Sequence, residues 1–322
     1  MTRLIPTLLF FLLPAAPVTG LQPLPPLRKN NVLRSSAVPT QPDIISRTAL
    51  AVSGGAVTEI ISTCVRAGPW GVPAMAGVAA VVLAPLTIYR QAYSFSVGYG
   101  LSVAAMGGVL LASFRGTSGA ALWLGASLVF YGARLGIFLL LREMTVPSKA
   151  KSLKSMDKTP VLKRMPLVLG VSLFYALLSS PALYALRHPS SSPLAKVGAA
   201  IAWIGATAEA IADLQKFLVK RGKDGDESYA GPTGGLYAVS RHPNYLGEVV
   251  YWVGLFLGGA ASFGWNPTAW ICSSLGLYGI VSIMGNATKR LEKIQSEKYS
   301  GQKKYDDYTK QVPYALIPLI KG

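Results

Sequence analysis

Between Gly231 and Glu248 the chain reads GPTGGLYAVSRHPNYLGE, and its last eight positions hold Arg241, His242, Asn244, Tyr245 and Glu248. A guanidinium, an imidazole, an amide, a phenol and a carboxyl this close together could bind an anion, hold a ribose or carboxamide and move a proton. The Gly-Pro and Gly-Gly pairs before them allow tight turns. Pro243 suits the first turn of a helix, whose free N–H groups and positive dipole end attract anions. Nucleotide phosphate is one ligand for such a site and a lipid head group is another. An interfacial Arg-His-Tyr belt that only anchors a helix satisfies the same composition. Arg187, His188 and Pro189 repeat the tripeptide without the Asn, Tyr and acid that follow it at 244–248.

These residues must be positioned by apolar helices. The chain of 322 residues is 51% hydrophobic and 14% charged, with a mean hydropathy of +0.40, whereas soluble domains carry about 25% charged residues. Spans are predicted near 70–88, 97–114, 119–141, 166–186, 197–219, 245–264 and 267–285, with a weaker eighth at 48–65. The fold class is therefore all-α, a polytopic membrane bundle of about seven transmembrane helices. The net charge of +17, from 31 Lys and Arg against 14 Asp and Glu, is assigned to loops beside anionic lipid, and nucleic acid is rejected as a partner. Cys64 and Cys272 lie in apolar runs, and the two histidines fall on opposite sides, so neither a disulfide scaffold nor a metal site is expected.

Residues 1–20 have an early Arg3, an apolar core and small residues near the end, the layout of a secretory signal. The following stretch to about residue 50 holds Arg28, Lys29, Arg34 and Arg47 with Ser and Pro, against Asp43, a composition like a transit peptide. Together they resemble the bipartite leader of algae with secondary plastids, which implies a plastid membrane. An uncleaved anchor with a leader would instead imply the endoplasmic reticulum. Either reading separates residues 1–45 from a single multi-helix body at 46–322.

Loop charge checks the span count. Segments 142–165, 220–244 and 286–322 hold 19 Lys and Arg between them, while 187–196 and 265–266 hold only Arg187 and Lys196. That asymmetry puts the three basic segments and the tail on one side, facing stroma or cytosol. Within spans three to seven the ionisable residues are Arg134, Glu209, Asp213, Lys216 and Glu248, each costing about 2.5 kcal/mol or more at the bilayer centre without a partner. Helical rise gathers them in the leaflet on the basic side, and Glu209 and Asp213 share a face at i and i+4. Two readings stay open: a polar cavity open to that side, or a structural clamp of Arg134 on one carboxylate with Lys216 and Glu248 snorkelling to the interface.

SRHPNYLGEVVYWVGLFLGG at 240–259 resembles the signature of the DUF1295 family, membrane proteins similar to the C-terminal domain of steroid 5α-reductases and more distantly to isoprenylcysteine carboxyl methyltransferases. ARLGIFLLLR at 133–142, EAIADLQKFLVK at 209–220 and the tail LEKIQSEKYSGQKKYDDYTKQVPYALIP at 291–318 resemble further blocks of that family. The four blocks cover a core of about 119–318. The resemblance implies NADPH held by the C-terminal helices and basic-side loops, with Asp213, Lys216, Arg241, His242, Asn244 and Tyr308 binding cofactor and Tyr245 and Glu248 ordering it or passing a proton. Arg241 and Lys216 would take phosphate oxygens, and Asn244 and Asp213 the ribose or carboxamide. No Gly-x-Gly-x-x-Gly follows a strand, so the nucleotide would sit in a helical membrane site.

The activity so implied is reduction of a carbon-carbon double bond in a lipophilic small molecule that enters from membrane lipid. The alternative from the same superfamily is methyl transfer from S-adenosylmethionine, and a third is a non-catalytic lipid-binding member. Glu248 and Asn244 resemble the reductase branch. The first two spans contain tyrosines such as Tyr99 and no ionisable residue, so the group that would polarise a substrate is not named by the resemblance; Tyr131 and Arg134 are the nearest polar candidates.

Overall fold

The computed structural model describes residues 55–222 and 228–318. By internal packing the chain divides at Ile61. In the first unit residues 55–61 are helical, and the predicted leader at 1–45 lies outside the described residues. The second unit, Ser62–Gly322, contains all seven of the stronger predicted spans.

Its elements are helical: α1 Gly71–Tyr89, α2 Val97–Ser113, α3 Gly119–Thr145, α4 Pro147–Ser155, α5 Met165–Arg187, α6 Pro193–Lys220, α7 Pro243–Ala260, α8 Pro267–Tyr299 and α9 Lys303–Gln311. Short 3-10 turns stand at Gln91–Phe95, Val161–Arg164 and Gly235–Ala238. Each of the seven predicted spans is a helix. Five stretches, α1, α3, Val161–Arg187, α6 and α8, are long and apolar enough to cross a membrane. At 17 residues α2 is shorter, and α7, 18 residues long with Asn244, Tyr245 and Glu248 in its first two turns, is not among the five. The chain is a polytopic helical membrane protein.

Helix starts follow local rules. Pro stands in the first turn of α4, α5, α6, α7 and α8, where its missing N–H costs nothing. The Ser192 and Asn266 side chains accept from Ala195 N and Ala269 N at 3.2 Å and cap α6 and α8. The connection after α3 is pinned back onto the bundle: Arg90 pairs with Glu143, Gln91 N donates to Asp157 Oδ1 at 2.7 Å, and Arg164 donates to Thr87 O at 3.0 Å.

Lipid tails offer helices no hydrophobic reason to associate, so close packing through small residues must hold them. The α6–α7 pair meets at glycines: a Cβ on Gly247 would lie 2.7 Å from Glu209 N, and one on Gly205 2.3 Å from Tyr251 N. A Cβ on Gly132 of α3 would lie 2.4 Å from both Ala104 N and Gly100 O of α2. These contacts adjoin the residues of interest, because Tyr99, Tyr131 and Glu248 are the chain neighbours of Gly100, Gly132 and Gly247.

Candidate functional site

On α6, Glu209, Asp213, Lys216 and Lys220 recur at i, i+4, i+7 and i+11 and form one polar stripe about 16 Å long. On α3, Tyr131, Arg134 and Arg142 lie along one face at i, i+3 and i+11 and form a second, with the apolar ring of Phe138 between the two arginines. The two stripes meet at Arg134, whose guanidinium reaches Glu209 Oε1 at 3.0 Å and Asp213 Oδ2 at 2.9 Å. Asn244 of α7 donates to the other oxygen of Asp213 at 3.3 Å. Arg134 thus takes both carboxylates rather than one. Glu209 Oε2 and Asn244 Oδ1 are buried without a hydrogen-bond partner among the described residues. Buried polar atoms are nearly always satisfied in native proteins, so these two acceptors ask for a donor from a ligand or water.

Below this clamp lies a second network. The Tyr99 hydroxyl donates to Glu248 Oε1 at 2.9 Å, accepts from Trp252 Nε1 at 3.0 Å and shares a hydrogen bond with the Tyr131 hydroxyl at 3.2 Å. Tyr131 also stacks on Tyr251, with ring centroids 4.1 Å apart and planes within 6°. All of these side chains are buried. Glu248 is held inside the bundle by a tyrosine and does not snorkel to the interface.

At the loop before α7 the tail is strapped across. Arg241 N and His242 N donate to Tyr314 O and Ala315 O at 3.0 and 3.1 Å. The Arg241 guanidinium forks onto Glu292 Oε2 through Nε and Nη2 at 2.9 and 2.6 Å, and Nη1 donates to Val312 O at 2.7 Å. His242 Nε2 donates to Glu292 Oε1 at 2.6 Å. Burial holds the His242 imidazole below its ordinary pKa, and the bond to Glu292 opposes that shift without cancelling it. The Tyr308 hydroxyl donates to Tyr237 O at 2.9 Å, within a cluster of Tyr229, Tyr305, Tyr308 and Val312, and burial raises the Tyr308 phenol.

The residues singled out from sequence therefore fall into two groups. Asp213, Asn244 and Glu248 line the interior, with Lys216 one turn beyond Asp213 on the same face. Arg241, His242 and Tyr308 lie in the strap, and Tyr245 stacks on the His242 ring with centroids 5.7 Å apart. Sequence reasoning did not assign Tyr99, Trp252 or Glu292 to the site. The one signal for Tyr99 was a tyrosine in a span otherwise without ionisable groups. Among the described residues no group of three or more His, Cys, Asp or Glu side chains is arranged to hold a metal.

A family model described as "Protein of unknown function (DUF1295)" matches residues 91–312. The chain is 34% identical over 108 residues to Steroid 5-alpha-reductase DET2 of Gossypium hirsutum, covering 33% of this chain and 35% of that protein. It is also 34% identical over 77 residues to Uncharacterized protein C594.04c of Schizosaccharomyces pombe (strain 972 / ATCC 24843), covering 23% of this chain and 20% of that one. The chain thus spans only about a fifth to a third of the length of these relatives. No solved structure matches it.

Proposed function

This chain belongs to the DUF1295 family, and from that premise we propose that it is an integral membrane reductase that uses NADPH to reduce a carbon-carbon double bond in a lipophilic substrate. The observation that carries the reading is the Tyr99–Glu248 hydrogen bond, a proton-bearing phenol fixed by a carboxyl inside the helix bundle. The named likeness to a steroid 5-alpha-reductase supports the same class.

NADPH, when bound, supplies a hydride to the electron-poor carbon of the double bond and leaves as NADP⁺; the other carbon then requires a proton. Tyr99 is built to hold that proton. Its hydroxyl is fixed by Glu248 and Trp252, and the Tyr131 hydroxyl 3.2 Å away extends the chain through which it is replenished. The residues fit a nicotinamide dinucleotide, because Asn244 Oδ1 and Glu209 Oε2 are buried acceptors without partners among the described residues, suited to the N–H of a carboxamide or the O–H of a ribose. Arg134 holds the carboxylate of Asp213 in place for Asn244. In this reading Arg241, His242 and Tyr308 act by fixing the tail over the α7 N-terminus, and Tyr245 by packing on His242. The enclosing tyrosines and the surrounding apolar helices exclude water and admit a substrate from lipid. The Arg- and Ser-rich leader supports a plastid membrane as its location.

The test is thermal stability of the purified protein with NADPH, NADH or S-adenosylmethionine. A ligand at 100 times its Kd adds about 2.7 kcal/mol. Selective stabilisation by NADPH is the expected result, and stabilisation by S-adenosylmethionine alone overturns the reading in favour of methyl transfer.

A further inference from the structure

Helices α3 and α6 are each drawn close to a different neighbour. A Cβ on Gly198 of α6 would lie 2.1 Å from Gly258 N of α7, and one on Gly125 of α3 would lie 2.8 Å from Leu111 Cδ2 of α2. Between themselves, α3 and α6 are clamped where Arg134 meets Glu209 at 3.0 Å. Toward their first turns the seam stays open, as a groove of about 390 Å³, within the range of small-molecule sites. Gly119 and Ala120 of α3 and Ala199 and Ala200 of α6 line it without an atom beyond Cβ. Trp123 and Trp203 are its aromatic walls, their rings edge-on with centroids 5.8 Å apart. Two turns further along α3, Phe130 lies against Trp203 with centroids 5.1 Å apart, between Trp123 and Arg134 in the chain. A tryptophan at the membrane boundary ordinarily offers its N–H to water and head groups. Trp203 instead donates to Trp123 O at 3.0 Å, which fixes its ring across the seam.

Lys196 stands at the outer end of this groove, on one face with Ala199, Ala200 and Trp203 at i, i+3, i+4 and i+7. Its side chain is exposed and has no ion-pair partner among the described residues. The second unit has no carboxylate to give it at this end of the bundle: residues 62–142, 158–208 and 249–291 contain no Asp or Glu. Arg187, the other cation between α5 and α6, is already spent on Val65 O, Gly68 O and Cys64 O at 2.7, 3.0 and 3.0 Å. An anion for Lys196 must come from outside the fold.

We propose that the groove holds one anionic phospholipid, with an acyl chain between Trp123 and Trp203 over the alanines and the head-group phosphate on Lys196. The walls offer a chain close contacts and no polar partner, and an empty groove would forfeit those contacts. A zwitterionic head group brings an ammonium that Lys196 repels, so a head group of net negative charge is preferred. The lipid would join the first turns of α3 and α6, far along both helices from the Arg134 clamp. This site does not depend on the reductase reading.

The experiment reads lipid retention by native mass spectrometry on the full chain in mild detergent, with phosphatidylglycerol, phosphatidylcholine or cholesterol added at graded concentration. The wild type should retain one phosphatidylglycerol per chain at a concentration about fivefold below that needed for phosphatidylcholine, the effect of about one lysine beside an anionic head group. K196Q should bring the two lipids level. A200F, which fills the groove from its exposed side, should abolish tight retention of both, and the smaller plug A200L should weaken it if A200F does not fold. Wild-type retention of phosphatidylglycerol in K196Q and in both Ala200 variants overturns the site. Equal retention of the two phospholipids by the wild type overturns the anionic occupant, as does cholesterol retained in their place and indifferent to K196Q. A lipid-free dimer that A200F disperses puts a second copy of the chain in the groove and overturns the lipid.

Discussion

Tyr99 and Glu248 stand 149 positions apart in the chain and 2.9 Å apart in the fold, the phenol donating to the carboxyl inside the bundle. The contact requires α2 and α7 to meet inside the bundle; Gly100 and Gly132 close α2 on α3, and Gly247 closes α7 on α6. Tyr99→Phe keeps the ring and removes the donor to Glu248 and the acceptor for Trp252. It should cost about 1–3 kcal/mol of stability, and it should lower turnover of a lipophilic enone by about 10²–10⁴-fold with NADPH affinity unchanged. Denaturation midpoints and NADPH oxidation measure the two effects separately, and full activity in Tyr99→Phe would remove the phenol from the proton path.

Arg134 carries two carboxylates, so its loss leaves Glu209 without its cation and Asp213 with Asn244 and the charges of Arg142 and Lys216. Arg134→Met should destabilise by about 3–5 kcal/mol, and adding Glu209→Gln and Asp213→Asn should recover much of that loss. A thermodynamic cycle across these variants reads the coupling directly. An additive result would mean that the three side chains do not act as a unit.

Gly132→Ala tests the packing that builds the site. The added methyl would meet Ala104 N and Gly100 O at 2.4 Å, both backbone atoms that cannot swing aside. A penalty of about 1–3 kcal/mol is expected, together with loss of ligand-induced stabilisation, because α2 can no longer bring Tyr99 to Glu248. Gly108→Ala, with open space around its Cβ position, should show neither effect.

His242 makes stability depend on pH. Its folded pKa lies below the ordinary value of 6.5, so the unfolded chain binds the proton more readily. The His242 contribution is therefore fully present above pH 6.5 and is lost as pH falls from there toward the folded pKa. The charges facing it are Glu292, which favours protonation, and Lys216 and Arg241, which oppose it. Melting curves from about pH 7.5 to about pH 5.5 should show a decline in the wild type that is shallower in His242→Gln.

The membrane class and helix order were legible because charge and hydropathy are local. Arg134, Glu209, Asp213 and Glu248 drew attention as ionisable residues in apolar runs, and their depth followed from helical rise. Their partners were not legible, since nothing local says that Arg134 binds both acids or that Glu248 turns to a tyrosine. Tyr99 raised little suspicion because a phenol is an ordinary membrane residue. Glu292 lies in a tail that loop charge marks only as basic and facing stroma or cytosol. Only the strap of 312–315 across Arg241 and His242 brings it to the loop before α7.

The Arg134–Asp213 pair, separated by 79 positions, also imposes an order on biosynthesis. Helix α3 leaves the ribosome first and must enter the bilayer with its cation uncompensated, at a cost of about 2.5–3.5 kcal/mol on insertion scales; its most apolar stretch of 18 residues, with a mean hydropathy of 1.8, can bear this alone. Helix α6 emerges later with Glu209, Asp213 and Lys216 and has a countercharge already waiting. Until the later helix docks, the arginine of α3 has neither of the carboxylates that it holds in the folded bundle.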